Sequence, residues 1–355
     1  MNSTISVLFR GIPLAMAHLC FVFGGYVFLA GDDPTRYIAG PVVFFLGSIC
    51  IVLYTMVSTV IRQIKGSYTP FMKFFLPLLA YGIGAITLIA GIVMAAVTRR
   101  PDVLTAGHIT AGIGLIALCA AVASTASARY KLMPASRTET SQQPQTEQTP
   151  STGKQKTLII VTIVFAVIAW IWAIVLLARN TDQHFIAGSI MGGIACTCTC
   201  LIALVSTFTR LAGNAYDENE KVKWPKLALL MAGVAVLWGL GLLIFRAGQA
   251  SNFASYVLLG LGIFCIGILS VVDQLARMWQ GKYPSVSRIP VVPVLTGLVC
   301  LFLAAFLFEG ALFSPKYFIS ARILTGLGAV CFALFPLVSI LENGAQNAND
   351  IQIKS

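Results

Sequence analysis

Five ionisable residues lie within or beside apolar stretches of the sequence, where they could carry chemistry in a membrane. His18 could act as a proton carrier or pH switch, because imidazole changes its charge near neutral pH, and a packed, partnered histidine is the simpler account. Asp273 precedes Arg277 by four residues, so a proton or solute relay competes with an ion pair along one helix face. The other candidates for a path or switch are His108, Glu309 and Arg322. The alternative is that these three residues belong to an ordinary polar rim.

Two polar rows recur at matching positions of a repeat defined below. The first is a layer of hydroxyl side chains, with Asp273 completing it: Ser58, Thr125, Ser206 and Ser339. The second lies four residues later in four of the five copies, at Arg62, Arg129, Arg210 and Arg277, whereas the fifth copy has Asn343 instead. The rows could form the polar and basic layers of a cytoplasmic mouth that favours anions. Hydroxyls bound to their own helix and arginines anchored at headgroups are the alternative.

Enzymatic and metal chemistry are not indicated by the sequence. The run Cys196–Cys200 alternates three cysteines, but successive members point to nearly opposite faces of a helix, so only two can lie together. Phosphate-binding loops, dinucleotide fingerprints, zinc histidine pairs and nucleophile elbows are not found in the sequence. We therefore expect no enzyme activity, no cofactor and no metal.

The composition defines the elements that must position these residues. Of the 355 residues, 57% are hydrophobic and 10% are charged, whereas soluble domains carry about 25% charged residues. An ordinary soluble protein is excluded, and a multi-pass membrane protein is predicted. The net charge of +11 suits anionic headgroups at the cytoplasmic face of a membrane. No soluble basic domain exists, so no nucleic-acid partner is expected.

Ten apolar runs are each long enough to cross about 30 Å of hydrocarbon. They must be helices, because backbone groups within lipid need internal partners and the runs lack the alternation of barrel strands. The sequence therefore predicts an all-α, polytopic fold with ten transmembrane helices, at about 11–30, 39–61, 74–97, 104–126, 157–178, 185–208, 226–245, 253–272, 289–309 and 318–341.

The basic residues orient these spans. One set of segments comprises the two termini, the connections that follow even-numbered spans, and Lys226 at the start of the seventh span. This set holds 17 of the 24 Lys and Arg residues. Because positive charge accumulates on the cytoplasmic side, both termini are predicted to be cytoplasmic. The longest such connection, 134–156, is rich in Ser, Thr, Gln and Pro without an aromatic residue, and is predicted to be a disordered cytoplasmic linker.

One short phrase recurs at the start of every even-numbered span. It reads Tyr37-Ile38-Ala39-Gly40 in the first copy and Phe185-Ile186-Ala187-Gly188 in the third. Its last residue, the anchor, falls at Gly40, Gly107, Gly188, Ser255 and Ala321. The chain is therefore predicted to be a single transmembrane domain, 1–355, of five parallel two-helix repeats, at about 8–62, 70–129, 157–210, 224–277 and 288–343.

A stripe of small residues continues from each anchor along one helix face, through Gly47, Gly114, Ala195, Gly262 and Gly328. Close helix packing is the commoner use of such a stripe. The alternative is a pseudo-fivefold ring, which parallel repeats allow, with the stripes facing inward around a narrow path.

The sequence also resembles the YhiM family of enterobacterial inner-membrane proteins. The residues that carry the resemblance are the segments 288–294, 300–304, 317–319, 326–332 and 338–342, together with the repeat phrase along the chain. The resemblance implies a bacterial inner-membrane location, no assigned biochemical activity, and an association with acid and envelope stress.

The repeats and the basic row favour a stress-linked channel or transporter for a small solute or ion. The alternative is a non-transporting structural or signalling membrane protein of the acid and envelope stress response. The lack of interrupted helices and of several buried charges supports this alternative, since many transporters have both. A filled axis would favour it further.

Overall fold

The computed structural model describes residues 3–30, 35–65, 67–98, 100–129, 152–179, 181–212, 215–245, 252–279, 290–311 and 316–354. Within them the chain forms ten helices, and each is long and apolar enough to cross a membrane. They are α1 (Ser3–Ala30), α2 (Arg36–Ile64), α3 (Pro70–Val97), α4 (Pro101–Arg129), α5 (Thr152–Leu177), α6 (Asp182–Ala212), α7 (Glu218–Phe245), α8 (Phe253–Trp279), α9 (Val291–Gly310) and α10 (Lys316–Lys354). The predicted all-α fold with ten membrane-spanning helices is confirmed. Most of the predicted linker 134–156 lies outside the described residues, and its end was predicted too far along the chain, because residues 152–156 belong to α5.

Side-chain caps fix the start of three helices. The Thr69 hydroxyl accepts a hydrogen bond from the backbone N–H of Met72 at 3.4 Å, immediately before Pro70 opens α3. Thr181 caps α6 in the same way through the N–H of His184. Asp217 caps α7 through the N–H of Glu220 at 2.8 Å. Each cap satisfies a backbone donor that a helix start leaves without an intrahelical partner.

The even-numbered helices are buried and the odd-numbered helices are exposed. In the most apolar window of each even helix, between 67% and 94% of the residues are buried, whereas the odd helices reach only 22% to 33%. Each odd helix packs against the even helix of its own repeat and against the even helix of the preceding repeat, with α1 reaching α10. The even helices therefore form the interior, and the odd helices form the surface that faces lipid.

The contacts between even helices form a closed cycle. The helix α2 contacts α4, and the cycle continues through α6, α8 and α10 back to α2. A row of glycines five residues after the anchors makes room for this packing, because each accepts a bulky side chain of the next even helix. The pairs are Gly112 with Ile194, Gly193 with Leu261, Gly260 with Leu327, and Gly326 with Leu46. The last pair joins the fifth repeat to the first.

The small-residue stripe that starts at the anchors faces outward, and the prediction that it faces inward is wrong. A methyl group added to Gly40 would meet Phe28 of α1, and one added to Gly107 would meet the backbone of Ala95 in α3. Gly188 meets Leu177 of α5 in the same way. The stripe lets the two helices of each repeat approach closely, which is the commoner role of small residues within membranes.

Candidate functional site

The axis of the even-helix cycle is the first place to look for a path. Two complete layers of branched aliphatic side chains surround it, two and six residues after the anchors. The first layer is Val42, Ile109, Ile190, Val257 and Ile323, and the second is Leu46, Ile113, Ile194, Leu261 and Leu327. The cavity between them has a volume of about 20 Å³, and no polar atom lines it. A void of this size is close to that of one water molecule, and apolar voids stay dry.

The axis is closed toward both ends of the bundle as well. We call the end where the even helices begin the upper end, and the other the lower end. On the helix face that carries the axial layers, the residues nearest the upper end are all buried: Ile38, Thr105, Ile186, Phe253 and Ile319. Those nearest the lower end are buried too: Val60, Ser127, Phe208, Leu275 and Leu341. The described side chains thus fill the axis along its length.

The predicted hydroxyl layer does not line the axis. At 100° per residue it lies on roughly the opposite side of each helix from the axial layers. Thr125 approaches the Tyr81 hydroxyl of α3 at 3.5 Å and donates to the carbonyl of Ala121 in its own helix. Ser58, Ser206 and Ser339 are buried in the same outward-facing row. Thr125 fits the alternative of a hydroxyl bound to its own helix, whereas the Ser58 and Ser206 hydroxyls form no hydrogen bond among the described residues.

The predicted basic layer is also directed away from the axis. Arg210 lies 3.8 Å from Glu220 on the outer helix α7. Arg277 pairs with Asp273 at 2.8 Å, and both line a cavity of about 470 Å³ that is bounded by Pro290–Pro293 at the start of α9. The side chain of Arg129 lies outside the described residues. The ion pairs of Arg210 and Arg277 do not fit a cationic mouth on the axis, and Asp273 forms the ion pair that its spacing indicated.

Two polar clusters at the lower end were missed by sequence reasoning. In the first, Glu220 is only 8% exposed, and its carboxylate accepts a hydrogen bond from the indole N–H of Trp224 as well as facing Arg210. Burial and the nearby carboxylates, Glu220 first, raise the pKa of Tyr216 to about 12. The spacing of Asp217 and Glu220, which resembles a capping box, was the one signal that could have revealed this cluster.

The second missed cluster surrounds Arg62. Buried polar atoms here lack hydrogen-bond partners among the described residues, including the Arg62 Nε and the Thr59 and Tyr68 hydroxyls. Burial raises the pKa of Tyr68, and the nearby Thr59 hydroxyl and Arg62 guanidinium partly offset this effect. Gln63 donates to the backbone carbonyl of Ser127 in α4 at 2.9 Å and ties the first two repeats together. No short-range sequence pattern reveals such a cluster, because it forms between repeats.

At the upper end the structure brings two of the candidate residues into contact with other repeats. The His108 ring lies edge-on to Trp172 of α5 at 5.8 Å and 6.4 Å from the ring of His184. The Arg322 guanidinium donates to the Thr35 hydroxyl at 3.0 Å, which joins the fifth repeat to the first. These contacts agree with a polar rim.

The other two candidates are exposed on outer helices. His18 lies on the exposed face of α1, and Glu309 is exposed near the end of α9. Both residues lie away from the axis of the even-helix cycle, and a buried, packed His18 is not found. A role of either residue as a switch stays a prediction.

The cysteines are buried among apolar neighbours. All nine have free thiols. Within the described ranges, no group of three His, Cys, Asp or Glu side chains is placed to hold a metal ion. The Cys200 thiol donates instead to the backbone carbonyl of Ala228 in α7 at 3.5 Å.

Comparisons with known proteins show which family the sequence matches. Residues 1–346 match a family described as "Protein of unknown function (DUF2776)". The chain is 34% identical over 348 residues to the "Inner membrane protein YhiM" of Escherichia coli (strain K12). The aligned region covers 97% of this chain and 99% of that relative. No solved structure matches the chain.

Proposed function

The chain belongs to the DUF2776 family and is an inner-membrane protein with ten apolar helices, and we propose that it is a non-transporting structural or signalling protein. The observation that carries the proposal is the filled, apolar axis of the even-helix cycle. Its central void of about 20 Å³ has no polar lining. A hydrated ion or polar solute would have to displace several layers of buried aliphatic side chains to pass.

The distribution of charge supports the same proposal. Between Tyr37 and Ile61 of α2, and over 185–209, 253–272 and 323–341 of α6, α8 and α10, the sequence has no Asp, Glu, Lys, Arg or His. Transporters commonly place ionisable residues or interrupted helices at such depths. In the described residues the even helices run without interruption through these segments. These four segments therefore offer no charged side chain that would replace the hydration shell of an ion.

The family resemblance supplies a setting for this role. The resemblance implies an association with acid and envelope stress, and we place the proposed structural or signalling role in that response. A strain that lacks the protein should survive acid challenge less well than its parent, and expression of the wild-type chain should restore survival. Equal survival of the two strains would contradict the stress role without bearing on transport.

A closed channel with a hydrophobic gate is the second candidate. One observation favours it: five repeats place branched aliphatic side chains in two complete layers around one axis, as hydrophobic constrictions do in channels that gate by dewetting. The two candidates differ in what a polar residue does at the axis. In a gate it admits water and ions, whereas in a solid core it only destabilises packing.

Flux into proteoliposomes separates the candidates. We expect the wild-type chain to pass no protons, anions or small osmolytes above the level of empty liposomes. Ile113→Ser replaces an axial side chain, and Ile89→Ser is the matched control because Ile89 is exposed on the outer helix α3. Both variants should remain without flux if the axis is a solid core. Flux through the wild-type chain, or a leak confined to Ile113→Ser, would establish a channel instead.

A further inference from the structure

A large apolar groove lies at the upper end, between the first and second repeats. Its volume is about 580 Å³, which lies within the range of small-molecule sites. Leu29, at its edge, is 79% exposed, so the groove opens on the lipid-facing surface. The residues that form its walls include Gly25 and Phe28 of α1, Pro41 and Phe44 of α2, and Met94 of α3.

The groove exists partly because two neighbouring residues of α1 are glycines without side chains. Gly24 allows α1 to approach the backbone of α2, since a methyl group there would overlap the backbone of Phe44. Its neighbour Gly25 has no atom within 4 Å of the position that a Cβ would occupy. Pro41 has no backbone N–H, so it cannot donate to the carbonyl of Tyr37 one turn earlier. The groove is therefore an open apolar space lined by α1 and α2.

Tyr37 and Arg100 line one end of the groove, and Arg36 lies beside Tyr37. The Arg36 guanidinium donates to the Tyr37 hydroxyl at 2.8 Å. The Arg100 guanidinium, which comes from the second repeat, lies 4.0 Å from the centre of the Tyr37 ring. Asp102 follows Arg100 by two residues, yet Arg100 forms no ion pair within the part of the chain that the structure describes. Tyr37 thus positions positive charge from both repeats beside one apolar groove.

We propose that this groove binds one acyl chain of an anionic phospholipid, with the lipid phosphate held by Arg100. An acyl chain matches the apolar lining and the opening toward lipid, and guanidinium groups match phosphate in charge and in hydrogen-bond geometry. A zwitterionic lipid carries the same phosphate but adds a compensating cation, so the site favours an anionic headgroup. The proposal does not depend on whether the axis of the even-helix cycle conducts.

The charge part of the proposal is tested with the full chain purified in detergent. Phosphatidylglycerol and phosphatidylcholine are titrated separately, and binding is followed by the shift in thermal unfolding midpoint. Wild-type protein should prefer phosphatidylglycerol, and Arg100→Gln should reduce that preference about fivefold, because one basic residue near a lipid surface contributes about 1 kcal/mol. Arg179→Gln is the matched control, since Arg179 is exposed at the same end and does not line the groove. Equal affinity for the two lipids, or equal losses in both variants, would overturn the proposal.

The groove itself is tested by filling it. Gly25→Leu places a side chain into open space without meeting the backbone, and should weaken the binding of both lipids. Gly233→Leu is its control, because Gly233 on α7 also has no atom within 4 Å of its Cβ position and lies outside the groove. Both variants should stay monodisperse. Unchanged lipid binding by Gly25→Leu would show that the groove is not the site.

Discussion

At the scale of single residues, polar side chains are stabilised by partners on neighbouring helices and near the ends of the bundle. Glu220 is the most buried carboxylate that forms an ion pair among the described residues. Its partners are the Arg210 guanidinium and the Trp224 indole. A carboxylate in such a position depends on both partners, because an unpaired charge at the edge of a membrane is costly to bury.

We expect Glu220→Ala to lower the free energy of unfolding by about 2 kcal/mol, since it removes a charged hydrogen bond and leaves the Trp224 N–H without its acceptor. The measurement is unfolding of the purified protein in mixed detergent and dodecyl sulfate. Glu218→Ala is the matched control, because the Glu218 side chain is 74% exposed and its ion pair among the described residues is with Lys221. It should change stability by about 0.5 kcal/mol or less. Similar losses in both variants would show that the buried cluster has no special contribution.

At the scale of elements, the helix hairpin is the unit that the sequence predicts best. Apolar length identified the spans, and the recurring phrase identified the repeats. Periodicity showed that the small residues share one face, but it does not show which neighbour that face meets. Gly107 meets Ala95 within its own repeat, whereas Gly112, on a row that the repeat analysis did not single out, meets the next even helix. The direction of the stripe therefore required the packed structure.

Gly91 provides a test of hairpin packing. A methyl group on Gly91 would overlap the backbone of Ala111, whereas Gly82 in the same helix has no atom within 4 Å of its Cβ position. Gly91→Ala should therefore destabilise the protein by about 1 to 3 kcal/mol through forced separation of α3 and α4. Gly82→Ala is expected to be neutral or slightly stabilising, because alanine favours the helix. Thermal unfolding in detergent measures both, and equal midpoints for the two variants would refute close hairpin packing at Gly91.

The long connection between α4 and α5 is expected to be dispensable. Its segment 136–153 has few apolar residues to pack, and the other repeats are joined without such an insertion. A chain that lacks residues 136–153 should insert into the membrane and elute as a single monodisperse peak in gel filtration, like wild type. Aggregation of this variant in the same detergent would show that the connection contributes to folding.

At the scale of the whole molecule, the closed cycle of contacts between even helices is compatible with the five parallel repeats that the sequence predicts. Each repeat uses the same faces: one for its own odd helix, one for the next even helix and one for the axis. The sequence indicated the number of copies and their common direction. It did not indicate the filled axis, because Val, Ile and Leu at a helix face look alike whether they meet lipid, a neighbour or each other. Ile113 and Ile89 illustrate this, since one is axial and the other is exposed.

The orientation of the whole bundle remains a prediction from charge. The lower end gathers 17 of the 24 Lys and Arg residues when Lys226 and both termini are counted with it, so we expect that end to face the cytoplasm. A green fluorescent reporter fused within 134–156 should therefore fluoresce, and an alkaline phosphatase fused there should be inactive. Fusions within 246–251, the connection between α7 and α8, should show the reverse pattern and serve as the matched control. Phosphatase activity from the 134–156 fusion, with fluorescence from the 246–251 fusion, would invert the topology and place the groove beside Arg100 at the cytoplasmic face.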